Sequence, residues 1–347
     1  MPAEVPPPPL RLTLDFDALV ANWRALDALS GAASAGAAVK ADAYGLGARR
    51  VATALREAGC RDFFVAHWSE AADLLDTLPA QEIAVLHGPQ SPADAVFARD
   101  TGLRPVINSL HQARIWQEAG GGLCDLMVDT GINRLGLPLE DLNDPVIAGL
   151  QVDVLHSHLA SADEAVPQNE QQRLRWLEAQ GLVQHRRASL ANSAGIALGK
   201  AYHGDLTRPG IALYGGLPCD ALAGQIRQVA RPEAQVIQTR ELEAGDRVGY
   251  NATFTAGGPM RVGVVSLGYA DGYLRCWSGK GAMLAGDLRL PVLGRVSMDM
   301  TVIDLTQAPH LGEGDWLALD YDLPAASALS GLSQYELLTS LGRRFPR

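Results

Sequence analysis

Eight short apolar runs, spaced about 20–30 residues apart and separated by helix-like segments, constrain this chain more than any other feature. They cover residues 37–41, 63–66, 83–87, 105–108, 126–129, 152–158, 188–191 and 211–214. Between them lie helix-like or loop stretches at 48–58, 70–78, 92–101, 110–119, 139–147, 164–180 and 194–198. Buried strands alternating with helices indicate a parallel sheet, and eight strands are enough to close one. The pattern predicts an α/β chain built on a (β/α)8 TIM-type barrel rather than an open doubly wound sheet. No GxGxxG follows the first run, which argues against a dinucleotide fold. Ahead of the rhythm, residues 10–14 alternate like a short strand, and Asp15 caps a helix-like segment through Leu29.

Beyond residue 225 helical periodicity fades. Residues 236–239, 247–250, 261–267, 282–284, 288–293, 301–305 and 316–320 read as strands separated by Gly, Pro and Asp, and 335–341 as a closing helix. The expected division is a barrel over 10–225 and a β-rich C-terminal domain over 226–347. A chain of 347 residues suits one large and one medium domain. A net charge of −10 without any basic block argues against nucleic acid and against an anionic membrane surface. No apolar run reaches membrane-spanning length, and the proline-rich leader lacks the layout of a signal peptide. Cys60, Cys124, Cys219 and Cys276 are scattered without metal-type spacing, as free thiols in a reducing compartment would be. The expected location is cytoplasmic.

In such a barrel the C-terminal strand ends carry the chemistry. Here they carry Lys40, His87, Asn108, Asp129 followed by Arg134, His158, Asn192-Ser193 and Arg208. Lys40 is one of only three lysines, with Lys200 and Lys280, among 29 basic residues. A lysine at a buried strand end either snorkels to water or is used for what arginine cannot do, which is to lose its proton and act as an amine. Asn192-Ser193-Ala194-Gly195 offers a hydroxyl and N–H groups at a helix start, and Arg208-Pro209-Gly210-Ile211 adds a tight turn where barrels often bind phosphate. No Walker-type loop is present. His156 and His158 share a strand face, and with Asp163 they suggest a metal site. No third histidine or cysteine cluster completes one, which favours His158 as a ring that stacks or hydrogen-bonds, with no metal.

Several of these stretches resemble, in order, the motifs of the alanine racemase family, which is pyridoxal-phosphate dependent and of fold type III. They are residues 38–47 around Lys40, Asp129 to Gly136, His158 to Asp163, Asn192 to Ala194, Arg208 to Gly215, Gly249-Tyr250, Gly268 to Tyr273, and Ser297-Met298-Asp299. The resemblance runs from about Leu10 to the C-terminus. It implies a (β/α)8 barrel with a β-rich C-terminal domain that takes in the strand at 10–14, and a homodimer with shared active sites. Lys40 would form the Schiff base with pyridoxal 5'-phosphate, and Tyr44, Ser193, Gly210 and Ile211 would hold its phosphate, next to Asn192. His158 would lie against the ring, Arg208 would face the pyridine nitrogen, and Arg134 the phenolic oxygen and the substrate carboxylate. Tyr250, Tyr269 and Met298, beside Asp299, would come from the partner subunit. Lys40 and Tyr250 would be the two acid/base groups that remove and return the Cα proton of alanine, supplying D-alanine for peptidoglycan.

Three positions depart from the pattern. Met127 stands where many members carry a carbamylated lysine that bonds the arginine equivalent to Arg134. Ser189 replaces a histidine often found beside the pyridine-facing arginine, and Arg343 a phosphate-binding tyrosine. The competing readings are a racemase preferring serine or several amino acids, since an apolar pocket rejects one hydroxyl weakly, and a non-catalytic pyridoxal-phosphate-binding barrel. A decarboxylase is disfavoured by Arg208, and a metal hydrolase on His156 and His158 is the outlier.

Overall fold

The structure is a computed structural model that describes residues 6–342, Arg344 and Phe345. Arg343 therefore lies outside the described residues. Two compact units are present, one spanning Phe16–Arg227 and the other formed by Gln228 onward with the N-terminal stretch through Asp15. Among the described residues no helix is long and apolar enough to cross a membrane.

In the larger unit seven parallel strands follow one another in chain order: Ala37–Ala38, Phe63–Val65, Ile83–Val85, Arg104–Ile107, Leu123–Met127, Gln151–His156 and His185–Ser189. An eighth, Leu206–Thr207, pairs in parallel with Ser34–Ala35. Gly36 and Ala38 donate N–H bonds to Thr207 and Pro209 carbonyls at 2.9 Å, and Arg208 N–H reaches the Ala191 carbonyl at 2.8 Å. These bonds join the last strand to the first and to the seventh, giving a TIM-like barrel. The strands are short, and most are apolar and buried on both faces, as a sheet covered by helices requires, whereas His185–Ser189 is polar and buried only at Ala188 and Ser189. Helix ends follow local chemistry. Ser91 and Ser109 cap Pro92–Thr101 and Leu110–Glu118 by accepting N–H bonds from Asp94 and Gln112.

The eighth strand differs from expectation. Residues 211–214 are not a strand but a 3-10 turn, Ile211–Tyr214, and the pairing segment lies just before it. Pro209 has no N–H to give a ladder, so only its carbonyl still bonds the first strand, and the chain turns away after it. The first run also stops pairing at Ala38, short of Lys40.

The smaller unit is an antiparallel barrel. Ala230–Leu242, Met260–Val265, Thr301–Asp304, Leu288–Leu293, Ala282–Ala285 and Trp316–Leu319 pair in that order, and Trp316–Leu319 returns to Ala230–Leu242. Leu10–Leu14 pairs with the first half of Ala230–Leu242, so this segment of the 10–225 division sits with residues after 228. A bidentate Arg11–Glu233 pair at 2.6 and 2.7 Å fixes that register. An alanine-rich helix, Leu323–Ser330, precedes the expected closing helix at Gln334–Thr339.

Candidate active site

Lys40 opens a turn of unusual handedness. Ala41, Asp42, Ala43 and Tyr44 have φ of 52–56° and ψ of 34–52°, four consecutive non-glycine residues in the left-handed region. At about 1–2 kcal/mol each the turn stores roughly 4–8 kcal/mol unless its surroundings offset it. Ala43 N–H bonds the Val39 carbonyl at 2.8 Å and Gly47 N–H the Asp42 carbonyl at 2.9 Å. The Asp42 carboxylate accepts from Ala48 N–H at 2.7 Å, and the Glu70 carboxylate from Ala41 N–H at 2.7 Å. Tyr44 is buried against Tyr214, ring centroids 4.8 Å apart. Strained backbone of this kind concentrates at functional sites.

The charges around Lys40 are mostly positive. Burial and then Arg134 lower its pKa, Glu70 pulls the other way, and Arg208 adds a smaller lowering. Its amine is thus biased toward the neutral, nucleophilic form. His158 is pushed down to about 3 by burial and then by Arg208, Arg134 and Lys40, so it is a neutral ring at physiological pH. Arg208 is buried, and burial pushes it down to about 10, which leaves it protonated. Among the described residues its guanidinium bonds only neutral acceptors: the Ser189 hydroxyl, the Ser157 and Leu190 carbonyls, and His156 Nδ1 at 3.3 Å. His156 Nε2 in turn meets Asp125 Oδ2 at 3.1 Å. Both nitrogens of His156 are therefore engaged inside the barrel. The paired-histidine metal reading fails on that geometry.

The turn after Arg208 completes a cradle. Ser193 Oγ accepts N–H bonds from Gly210 at 2.9 Å and Ala212 at 3.3 Å, and Asn192 Oδ1 accepts from Gly195 N–H at 2.9 Å, capping the short helix Ser193–Ala197. A Cβ at residue 210 would lie 2.3 Å from Tyr44 Oη, so only glycine lets the two segments meet. Hydroxyls of Tyr44 and Ser193, the backbone N–H of Ile211 beside a Gly210 N–H already bonded to Ser193, and a buried guanidinium with no carboxylate partner among the described residues form a donor set that suits a phosphorylated, nitrogen-containing ring. An amine for covalent attachment stands among them.

Arg134 is exposed and has no hydrogen bond or ion pair among the described residues. Met127 is buried and gives it nothing. The backbone presents it instead. Asp129 Oδ1 accepts from Gly131, Ile132 and Asn133 N–H at 2.8–3.2 Å, and Leu137 returns to the Met127 carbonyl at 2.9 Å. Asp129 is thus the keystone of the Arg134 loop. Asn108 braces its own loop by donating to the Leu86 and Val106 carbonyls. His87 packs edge-on against His67 and is held below its usual pKa by burial, then by His67 and Lys40.

Tyr250, Tyr269, Met298 and Asp299 belong to the smaller unit. Tyr250 and Met298 are 65% and 53% exposed. Tyr269 and Ala270 N–H bond the Ser297 and Met298 carbonyls at 3.0 Å, and Arg344 bridges Asp271 and Asp299 at 2.8 Å each. Tyr250 follows Gly249, whose φ of 72° turns the chain there.

Periodicity missed a second charged group in the barrel. Arg104 pairs with Asp62 at 2.9 Å and Asp153 at 2.8 Å and faces Asp125 at 3.8 Å. Arg187 pairs with Asp62 at 2.8 Å and Asp153 at 2.7 Å. Asp62, Arg104 and Asp153 lie just before or in the first half of their strands and Asp125 and Arg187 at the middle of theirs, so charge inside otherwise apolar runs was the available signal. Glu70 was missed too, lying inside what reads as an ordinary helix.

The family model described as alanine racemase, N-terminal domain, matches residues 14–218, and that for the C-terminal domain matches residues 229–347. A protein named alanine racemase from Methylobacterium nodulans is 43% identical, the match covering 97% of this chain and 95% of the relative. One named alanine racemase, biosynthetic, from Agrobacterium fabrum is 42% identical over 98% of this chain and 93% of its own length. A crystal structure of alanine racemase from Bartonella henselae, described as having covalently bound pyridoxal phosphate, superimposes with a TM-score of 0.91 at 35% identity, covering 98% of this chain and 99% of that one. With both domain models matched and relatives above 40% identity over nearly its whole length, the chain belongs to the alanine racemase family.

Proposed function

We propose that this chain is an alanine racemase that interconverts L- and D-alanine with bound pyridoxal phosphate, in a two-base scheme. The observation that carries the reading is Lys40, an amine biased toward its neutral form among Arg134, Arg208 and the phosphate-suited turn at Ser193 and Gly210. Pyridoxal phosphate, when bound, supplies an aldehyde for the substrate amine and a conjugated ring that disperses the charge left at Cα. Lys40 would be its attachment residue, Tyr44, Ser193, Gly210 and Ile211, next to Asn192, would hold its phosphate, and neutral His158 would lie against the ring. Arg208 serves the ring nitrogen. A guanidinium holds its protons, so it would bond that nitrogen without protonating it, which would restrain the ring as an electron sink and disfavour transamination and decarboxylation.

Racemisation removes a proton from one face of Cα and returns one to the other. Lys40 Nζ moves the proton on one face. The hydroxyl of Tyr250 of the partner subunit moves it on the other. Arg134 takes the substrate carboxylate, and Tyr269, Met298 and Asp299 of the partner subunit border the substrate. The exposure of Tyr250 and Met298 supports a shared-site homodimer. Free Cys60 and Cys124, both buried, support a cytoplasmic setting, and the D-alanine formed would feed peptidoglycan synthesis. The test is proton exchange in D2O. Both enantiomers should acquire deuterium at Cα, and Tyr250→Phe should slow abstraction from one enantiomer far more than from the other. Equal residual rates for both contradict two bases.

A further inference from the structure

Glu70 lies in the short helix Trp68–Ala72, and its carboxylate joins two separate segments. Oε1 accepts from Ala41 N–H at 2.7 Å, the first left-handed residue after Lys40. Oε2 accepts from Ala66 N–H at 2.7 Å and His67 N–H at 3.2 Å, just past strand Phe63–Val65. One side chain therefore ties the strained turn to the neighbouring barrel strand. The same strand bears on the first residues of the turn, since Val39 N–H bonds the Phe64 carbonyl at 2.9 Å. The other carboxylate in the turn, Asp42, braces its far end at Ala48.

We infer that Glu70 is the positioning residue that holds the left-handed turn closed and so aims Lys40 into the barrel mouth. This rests on the reading of Lys40 as the reacting amine. A carboxylate is the group for the task. It accepts from several N–H groups at once and donates nothing back, whereas a carboxamide would offer one oxygen and present N–H against N–H. It also leaves one negative charge near an amine whose other charged neighbours are Arg134 and Arg208, with His87 and His158 held toward their neutral forms. Arg134 and Arg208 lower the pKa of Lys40 and Glu70 raises it, so the strut sets how far the depression goes.

The test uses the full chain freed of cofactor, with Glu70→Gln as a near-isosteric change. Acetic anhydride labelling across pH, read by peptide mass spectrometry, gives a titration midpoint for each lysine. With three lysines in the chain, Lys200 and Lys280 are controls in the same sample. Hydrogen exchange reads residues 41–47. The expected result is a midpoint for Lys40 lowered by about half to one pH unit, unchanged midpoints for the controls, and exchange in the turn about tenfold faster or more. An unchanged Lys40 midpoint overturns the inference, as does unchanged exchange. Should Glu70→Gln not fold, Glu70→Asp takes its place. It keeps the charge but loses reach, so exchange in residues 41–47 should still quicken, and parent-like exchange overturns the inference. Neither measurement involves pyridoxal phosphate, so a failure of the racemase reading would leave this result standing on its own.

Discussion

The two ends of the large barrel handle charge in opposite ways. At the N-terminal end Arg104 and Arg187 face Asp62, Asp153 and Asp125, and every guanidinium has carboxylates within the chain. Burial alone would raise the Asp62 carboxyl, yet Arg187 and Arg104 outweigh it and hold the group below its usual range. At the C-terminal end Lys40, Arg134 and Arg208 have no ion pair among the described residues. His156 stands between, one nitrogen toward Asp125 and the other toward Arg208. Charge that is balanced inside the chain belongs to the fold. Charge left unbalanced at a strained rim is what the proposed cofactor site would use.

That contrast predicts opposite signatures for mutations at the two ends. The largest effect is expected for Lys40→Met, which should lower racemisation by about 10³-fold or more while leaving the unfolding free energy unchanged or slightly raised, since an unpaired cation is removed. Chemical denaturation alongside an activity assay checks both halves, and a marked loss of stability would erase the distinction. Next comes Arg104→Met. It leaves Arg187 alone to serve Asp62 and Asp153 and takes from fully buried Asp125 its nearest guanidinium, so it should cost about 3–5 kcal/mol of stability, measured by urea unfolding. Any activity loss should scale with the unfolded fraction.

The smallest effect probes the histidine that joins the ends. Burial pushes His156 down to about 4 despite Asp125, whereas an unfolded histidine titrates near 6.5. The folded state keeps it neutral, so its contribution is fully present above about pH 6.5 and is lost as pH falls toward 4, roughly 3 kcal/mol in all. His158, pushed lower still, adds in the same direction. Unfolding free energy followed from pH 7 to 4 should fall, and His156→Gln should flatten the slope. An unaltered slope would detach His156 from the acid response.

The barrel and its working end were largely legible because they rest on patterns a sequence displays. Apolar runs at regular spacing give strands, and a strand's end gives the rim, so Lys40, His158, Asn192 and Arg208 fell together. The eighth strand was misplaced by a few residues because Ile211–Tyr214 is as apolar as any strand, and only the missing N–H of Pro209 separates a ladder from a turn. The left-handed turn after Lys40 was not legible. Ala-Asp-Ala-Tyr has no glycine to advertise positive φ, and the turn is held by Glu70, far along the chain. Likewise Asp129 and Asn108 read as rim chemistry because side-chain type does not show whether a polar group serves a ligand or its own backbone.

The central claim is that Lys40 is the amine to which the cofactor attaches, and the chain's three lysines make the test compact. Borohydride reduction of the holoenzyme followed by peptide mapping should abolish the absorbance near 420 nm and leave a pyridoxyl label on Lys40 alone. A label on Lys200 or Lys280, or a colourless protein that takes none, would contradict the account.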